Sequence, residues 1–390
     1  MSETPAPTAT TTAWRSRATY ELYASFAILG FSLNGLGAIL QPLQADLGVS
    51  RARVAFYPTM FAVALLVMGL VGRHLLRRFG EMPVFRAGLL ASATGAALLA
   101  VNSPPVTLVG ATVVGFGGAT MVLIGPILLH TLHRDHAAQA ISEQNAVASV
   151  VAVFPSWAVA GAIAVGLGWK FGYSLPVALG AGVLFVFSVL DRNRPVPELE
   201  VDEESDASIH HPVFGRWLAV LLAVSTEFTF VFWAASALTE WYDLASATGI
   251  ALASAFLIGM AIGRTGGAPL VARHGNRVMV LSCSGIALVG FVLFWARVHV
   301  VVAVVGLLFA GLGVALLYPL TISRLVAARP STPELTSSYG ALASGLALAG
   351  APLVLAQVAD LTGMVTAYLL APLLLAGLVA YTVIAVPGRE

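Results

Sequence analysis

One lysine and one cysteine stand among 390 residues. The lone Cys283 excludes an internal disulfide and any cysteine-based metal cluster. It sits in an apolar run and reads as an inert small hydrophobe. The lone Lys170 follows Trp169, so no phosphate-binding loop of the form G-x-x-x-x-G-K-[ST] exists, and with it goes a built-in nucleotide motor. Charge is scarce too. Charged residues make up 10% of the chain and hydrophobic residues 58%, where a soluble domain carries about 25% charge. So little charge cannot cover a soluble surface of this size, and the composition is that of an integral membrane protein. A net charge of +1, with no basic stripe interleaved with aromatics, gives no sign of a nucleic-acid partner.

What the chain has is long apolar runs. A bilayer-spanning helix needs about 20 apolar residues. Twelve candidates lie near 20–42, 52–72, 84–102, 105–130, 138–167, 173–190, 214–239, 247–270, 278–295, 299–326, 335–358 and 365–386. An even number puts both termini on one side. With the N-terminus inside, 16 of the 20 basic residues fall on the cytoplasmic side. Only Arg51, Arg53, Lys170 and Arg297 fall outside. This bias is the positive-inside rule, and a wrong helix count would have scrambled it. The expected location is therefore the cytoplasmic membrane, multi-pass, with cytoplasmic termini. Residues 1–19 are expected to be a disordered cytoplasmic N-terminus, rich in Thr, Pro and Ala in its first part. The start does not resemble a signal peptide, because no basic residue precedes Trp14. The longest polar stretch reads DRNRPVPELEVDEESDASIHHP from Asp191, a flexible cytoplasmic linker over 191–213. It divides a six-helix bundle at 20–190 from a second at 214–386, with 387–390 as the cytoplasmic C-terminus.

A repeat supports that division. Phe61, Gly72, Leu75, Arg78, Gly80 and Gly95 recur as Phe256, Gly267, Leu270, Arg273, Gly275 and Gly290, an offset of 195 residues. Each copy reads as apolar helix, short basic turn, apolar helix. Duplicated blocks of membrane helices are a common construction of secondary transporters.

The loop after the second helix reads GRHLLRRFG from Gly72 to Gly80, and its counterpart reads GGAPLVARHGNR from Gly266 to Arg277. These loops, with twelve helices in two halves, resemble the major facilitator superfamily, whose loop pattern is Gly-x-Leu-Ala-Asp-Arg-x-Gly-Arg. The resemblance runs from about Tyr20 to Val386. It implies an all-α membrane fold of two pseudo-symmetric six-helix bundles and transport by alternating access. Arg78 and Gly80, and again Arg273 and Gly275, match the pattern. The family's aspartate, part of a charge lock on the cytoplasmic side, is replaced by Arg77 and by Ala272. The inner gate must then close in another way. VFPSWAVAG from Val153 to Gly161 resembles part of a helix 5 motif of proton-coupled exporters, but Phe154 stands where a glycine should precede the proline.

Several side chains could carry the chemistry. Glu227 lies in the middle of the seventh run, where an acid costs about 2.5–3.5 kcal/mol on insertion scales and must face a cavity or a partner. A carboxyl that can be neutral or charged is suited to carry a proton. Otherwise it is a structural acid, bonded to Ser or Thr neighbours or paired with an arginine. Asn34 and Gln41, seven residues apart on one helix face, either hydrogen-bond a polar substrate or bond between helices. Asn145 is a further cavity candidate. Arg264 binds an anion, pairs with an acid, or snorkels to the interface. Tyr57, Trp157, Trp233, Tyr318 and Tyr339 either stack on an organic substrate or pack the core. Pro126 and Pro319, after Gly125 and Tyr318, are candidate bending points for gating. His130, His133 and His136 have no metal-site spacing and read as a solvated loop.

The expected function is secondary active transport of a small organic solute, with no enzyme activity, no cofactor and no metal. Proton-coupled efflux is the first reading and uptake of a sugar, organic acid or other metabolite the second. A non-transporting receptor or scaffold is the rival from another class. Expected partners are the substrate, protons and the lipid bilayer, with the protein a monomer.

Overall fold

A computed structural model describes residues 15–133, 136–190, 211–328 and 333–385. The expected linker lies almost wholly outside them, as do residues 387–390. Among the described residues twelve helices are long and apolar enough to cross a membrane. They are α1 (Arg17–Leu47), α2 (Arg51–Gly72), α3 (Glu81–Leu99), α4 (Pro104–Leu132), α5 (Gln139–Ala164) and α6 (Trp169–Leu190). The second half holds α7 (Val213–Tyr242), α8 (Ser246–Gly267), α9 (Arg273–Trp295), α10 (Val300–Val326), α11 (Tyr339–Thr362) and α12 (Met364–Ile384). Each helix satisfies its own backbone, as it must where hydrocarbon offers no other hydrogen-bond partner.

The N-terminal boundary needs a correction. Residues 15–19 were expected in a disordered tail, yet α1 begins at Arg17. Ser16 caps it: its Oγ accepts from Thr19 N at 3.3 Å, and its own N–H donates to Thr19 Oγ1 at 3.0 Å. Arg15 is also tied down, donating to both carboxylate oxygens of Glu143 at 2.8 and 2.5 Å.

The 195-residue repeat is written into the backbone. Positive φ occurs at Gly48 and Asp243, at Gly80 and Gly275, and at Gly168 and Gly363, each pair separated by that offset. Gly80 (φ 80°) and Gly275 (φ 75°) make the sharp turns from α2 to α3 and from α8 to α9. An L side chain is rarely tolerated there, which explains glycine in the basic-loop pattern. Packing repeats as well. Gly95 on α3 faces the α4 backbone at Val114 and Gly110, and Gly290 on α9 faces the α10 backbone at Ala310 and Gly306. Tyr173 and Tyr368, again 195 apart, are both fully buried. The halves meet where Gly37 of α1 presses on the Val231 carbonyl of α7, with no room for a Cβ.

The bundle has two unlike ends. One carries the α2–α3 and α8–α9 turns with Arg77, Arg78 and Arg273, and is called the basic end below. The other carries the α1–α2 and α7–α8 connections, and there the halves are fastened together. Gln41 Oε1 accepts from Thr239 at 3.3 Å and from Ser246 at 3.1 Å. Arg51 pairs with Glu240, and Asp360 accepts from Ala52 N at 2.9 Å.

Candidate functional site

Between the halves lies a cavity of about 610 Å³. Its walls come from α1, α2, α4 and α5 and from their repeats α7, α8, α10 and α11. The lining is mostly apolar, and the repeat organises it. Leu29 and Val224, Leu33 and Phe228, Leu65 and Met260, and Ser149 and Ser344 are four pairs of lining residues at the repeat offset. The residues come from the stretches of each helix nearer the basic end.

One ion pair stands in this wall. Arg264 Nη2 donates to Glu227 Oε1 at 3.2 Å, and Arg264 Nη1 donates to Ser149 Oγ at 3.3 Å. The first contact joins α8 to α7 within one half; the second crosses to α5 of the other half. Arg264 therefore turns inward and does not snorkel to the interface. The side chains are 14% exposed for Glu227 and 35% for Arg264, so both reach the cavity but neither lies free in solvent. The hydroxyls beside Glu227 are engaged elsewhere. Thr226 and Thr229 donate to the helix carbonyls of Leu222 and Ser225 at 2.9 and 2.8 Å. That leaves the arginine, not a Ser or Thr neighbour, as the acid's partner.

Asn34, Asn145 and Tyr318 also line the cavity. Both amides donate along their own helices, Asn34 to Gly30 O at 3.0 Å and Asn145 to Ile141 O at 2.9 Å. Gln41 does not line the cavity; it is part of the fastening at the far end. Trp157 lies outside the lining and donates to Ser254 Oγ at 2.9 Å, another bond between halves. Trp233 is fully buried and donates to Pro352 O at 3.1 Å. Tyr339 is buried in a separate cluster with Val220, Val224 and Ala343. Tyr57 is buried against Thr107. None of these four aromatics is among the residues that line this cavity.

The loop residues fall at the basic end. Arg77 and Arg78 are exposed in the last turn before Gly80, and the Arg78 guanidinium lies 5.5 Å from the Phe79 ring centre. Arg273 is exposed. Pro126 sits inside α4, and Pro319 follows a break in α10 at 315–316. Among the described residues no group of three or more His, Cys, Asp or Glu is placed to hold a metal. His133 instead shares a hydrogen bond of 2.6 Å with Thr19 Oγ1.

Ser149 and Ser344 were not singled out from sequence, nor were Glu240 and Asp360 at the far end. The repeat offset was the available signal for the serines, since it maps one onto the other.

A central cavity bounded by four helices of each half is the place where a solute carrier of duplicated build holds its substrate. The family model for the Major Facilitator Superfamily matches residues 22–351. The chain belongs to that superfamily and is a multi-pass membrane transporter of solutes. Solved structures agree on the fold. A D-xylose-proton symporter shares 12% identity at a TM-score of 0.73, covering 95% of this chain and 97% of its own. The nucleoside transporter NupG shares 12% at 0.72, covering 94% and 97%. A bacterial homolog to the human lysosomal transporter Spinster, inward-facing and unoccupied, shares 14% at 0.70, covering 96% and 95%. No curated protein matches the chain by sequence.

Proposed function

We propose that this protein is a proton-coupled secondary transporter of a small organic solute, seated in the cytoplasmic membrane as a monomer with both termini in the cytoplasm. The observation that carries this reading is the Glu227–Arg264 pair in the wall of the cavity, held across the halves by Ser149. A carboxylate beside a fixed cation has two stable states, paired and ionised or released and protonated. Switching between them links a proton to whatever else occupies the arginine.

In this reading the basic end faces the cytoplasm, and the cavity is the substrate site, with Asn34, Asn145 and Tyr318 on its wall. The bonds of Gln41, Arg51 and Asp360 form the closed outer gate. Arg77, Arg78 and Arg273 border the inner mouth, Gly80 and Gly275 fix the turns beside it, and Pro126 and Pro319 are the bending points of α4 and α10 during gating. Rocking of the halves breaks the outer bonds as the inner mouth closes, which is alternating access. Direction then depends on whether proton and solute compete for the pair or bind together. Competition gives efflux under an inward proton gradient; joint binding gives uptake.

The test uses proteoliposomes holding the full chain, with a solute found by thermal shift across a metabolite and drug library. A pH gradient should drive solute flux in the wild type. Glu227→Gln should keep exchange of labelled for unlabelled solute but lose accumulation driven by the gradient. Full gradient-driven accumulation in Glu227→Gln would remove the coupling role. Absence of flux under any gradient would favour a receptor.

A further inference from the structure

We infer that the cavity takes an amphipathic organic monocarboxylate, bound on Arg264 together with one proton on Glu227. This rests on the reading of the cavity as the transport site and adds the substrate's chemistry to it.

The inference starts from an asymmetry within the ion pair. A singly charged ligand that takes one member of the pair for itself separates Glu227 from Arg264. A cationic ligand would take the carboxylate and strand the guanidinium. Arginine cannot shed its proton in a protein, so the stranded charge stays. An anionic ligand would take the guanidinium and strand the carboxylate, which a proton from water neutralises. Of the two, only the anion leaves no unpaired charge in the wall, and it does so by binding a proton in the same event. Among the cavity-lining residues the titratable groups are Glu227 on α7, Arg264 on α8 and Tyr318 on α10. Glu227 is the one of these that can gain a proton.

The rest of the wall fixes the body of the ligand. One arginine can match one anionic charge, so a dicarboxylate would leave its second charge unpaired. The planar fork of arginine matches a carboxylate in two parallel bonds. Polar side chains around it each spend a donor on their own helix. Ser149 Oγ donates to Asn145 O at 2.9 Å and Ser344 Oγ to Gly340 O at 2.9 Å, as the two amides donate to their own helices. A sugar would have to satisfy its several hydroxyls on two amides, two serines and Tyr318 beside the ion pair, in a wall that is otherwise apolar. Leu33, Leu65, Met68, Phe228, Leu257 and Met260 instead offer apolar contact. Gly69, the repeat position of Arg264, leaves open space where a side chain would stand.

The experiment measures binding of three matched ligands to the purified full-length protein by calorimetry: 4-phenylbutyrate, its amide and the corresponding amine. Proton uptake is read with a pH dye in weakly buffered solution. The carboxylate should bind at least about tenfold tighter than either analogue, taking up about one proton per ligand. Arg264→Gln should weaken it by roughly 30-fold or more. The double variant Glu227→Gln with Arg264→Gln, which leaves no unpaired charge to unfold the protein, should weaken it as much. Glu227→Gln should bind at least as tightly as wild type without proton uptake. Preference for the amine or the amide, no binding of any of the three, or unchanged proton uptake in Glu227→Gln would each overturn the proposal. Gly69→Trp, which projects an indole into the cavity beside the ion pair, separates the two levels. If the plug abolishes binding but the amine is preferred, the cavity stands and the substrate class falls. If the carboxylate binds the plugged protein undiminished, the cavity is not the site and the proposal falls with it.

Discussion

The two halves of this transporter share a backbone and divide the chemistry. Turns, close-packed glycines and buried tyrosines recur at one offset through both. The charges do not. Glu227 aligns with Ser32, and Arg264 aligns with Gly69. Ser32 is buried and its hydroxyl donates to Leu29 O at 3.1 Å, while Gly69 opens onto the cavity. The first half thus supplies a neutral wall and the second supplies the ion pair. Duplication gives two bundles of like backbone, and one site needs its charges only once.

The strongest way to break this comparison is to move charge into the first half. Ser32→Glu should destabilise the protein by about 3–5 kcal/mol, because it buries an acid without a partner. Adding Gly69→Arg should recover part of that loss, with a coupling of about 1–3 kcal/mol in a double-mutant cycle followed by thermal unfolding in detergent. Zero coupling would mean that the repeat does not extend to side-chain geometry in the cavity. Next in size is the crossing of the halves. Gly37→Leu forces a side chain into the Val231 backbone and should cost about 3 kcal/mol. Gly69→Ala, which meets nothing, should be within about 0.5 kcal/mol of wild type in the same unfolding measurement.

A smaller effect compares the two ends. Gln41→Leu removes the acceptor shared by Thr239 and Ser246. Two net hydrogen bonds at about 1 kcal/mol each amount to roughly a 30-fold shift toward opening of that end. A reporter cysteine there, in a Cys283→Ala background, should label faster by up to that factor; unchanged labelling would show that these bonds do not fasten the gate. The smallest effect concerns His133, whose counterpart at the repeat offset is Ala328. Burial, with the neighbouring His136 adding to it, pushes its imidazole below the ordinary value of 6.5. A lowered folded-state value means that its contribution is fully present above pH 6.5 and is lost as pH falls through the lowered value. His133→Gln should flatten the acid side of the Tm–pH curve, and an identical curve in both proteins would discount this contact.

The twelve spans were legible because a bilayer demands an unbroken apolar run for each, and few other folds supply twelve. The turn glycines were legible from the repeat. Glu227 stood out because an acid inside an apolar run is costly. The aromatics were not readable. Trp157, Trp233 and Tyr339 lie on helices that are apolar on every side, so no periodicity tells which face meets the cavity. Gln41 was read on one face with Asn34, yet seven residues along α1 carry it from the cavity to the outer fastening. Arg264 was ambiguous in sequence because its partner lies 37 residues away on another helix.

The ion pair has a consequence for the energy source. Closed on itself, it presents no net charge to the membrane field, so the empty carrier can reorient without electrical work. A monoanion carried with a proton is neutral as well. A potential of 100 mV acts on a moving unit charge with about 2.3 kcal/mol, and neither form would feel it. On that reading this carrier is deaf to voltage and answers only to the difference in acidity and solute across the membrane.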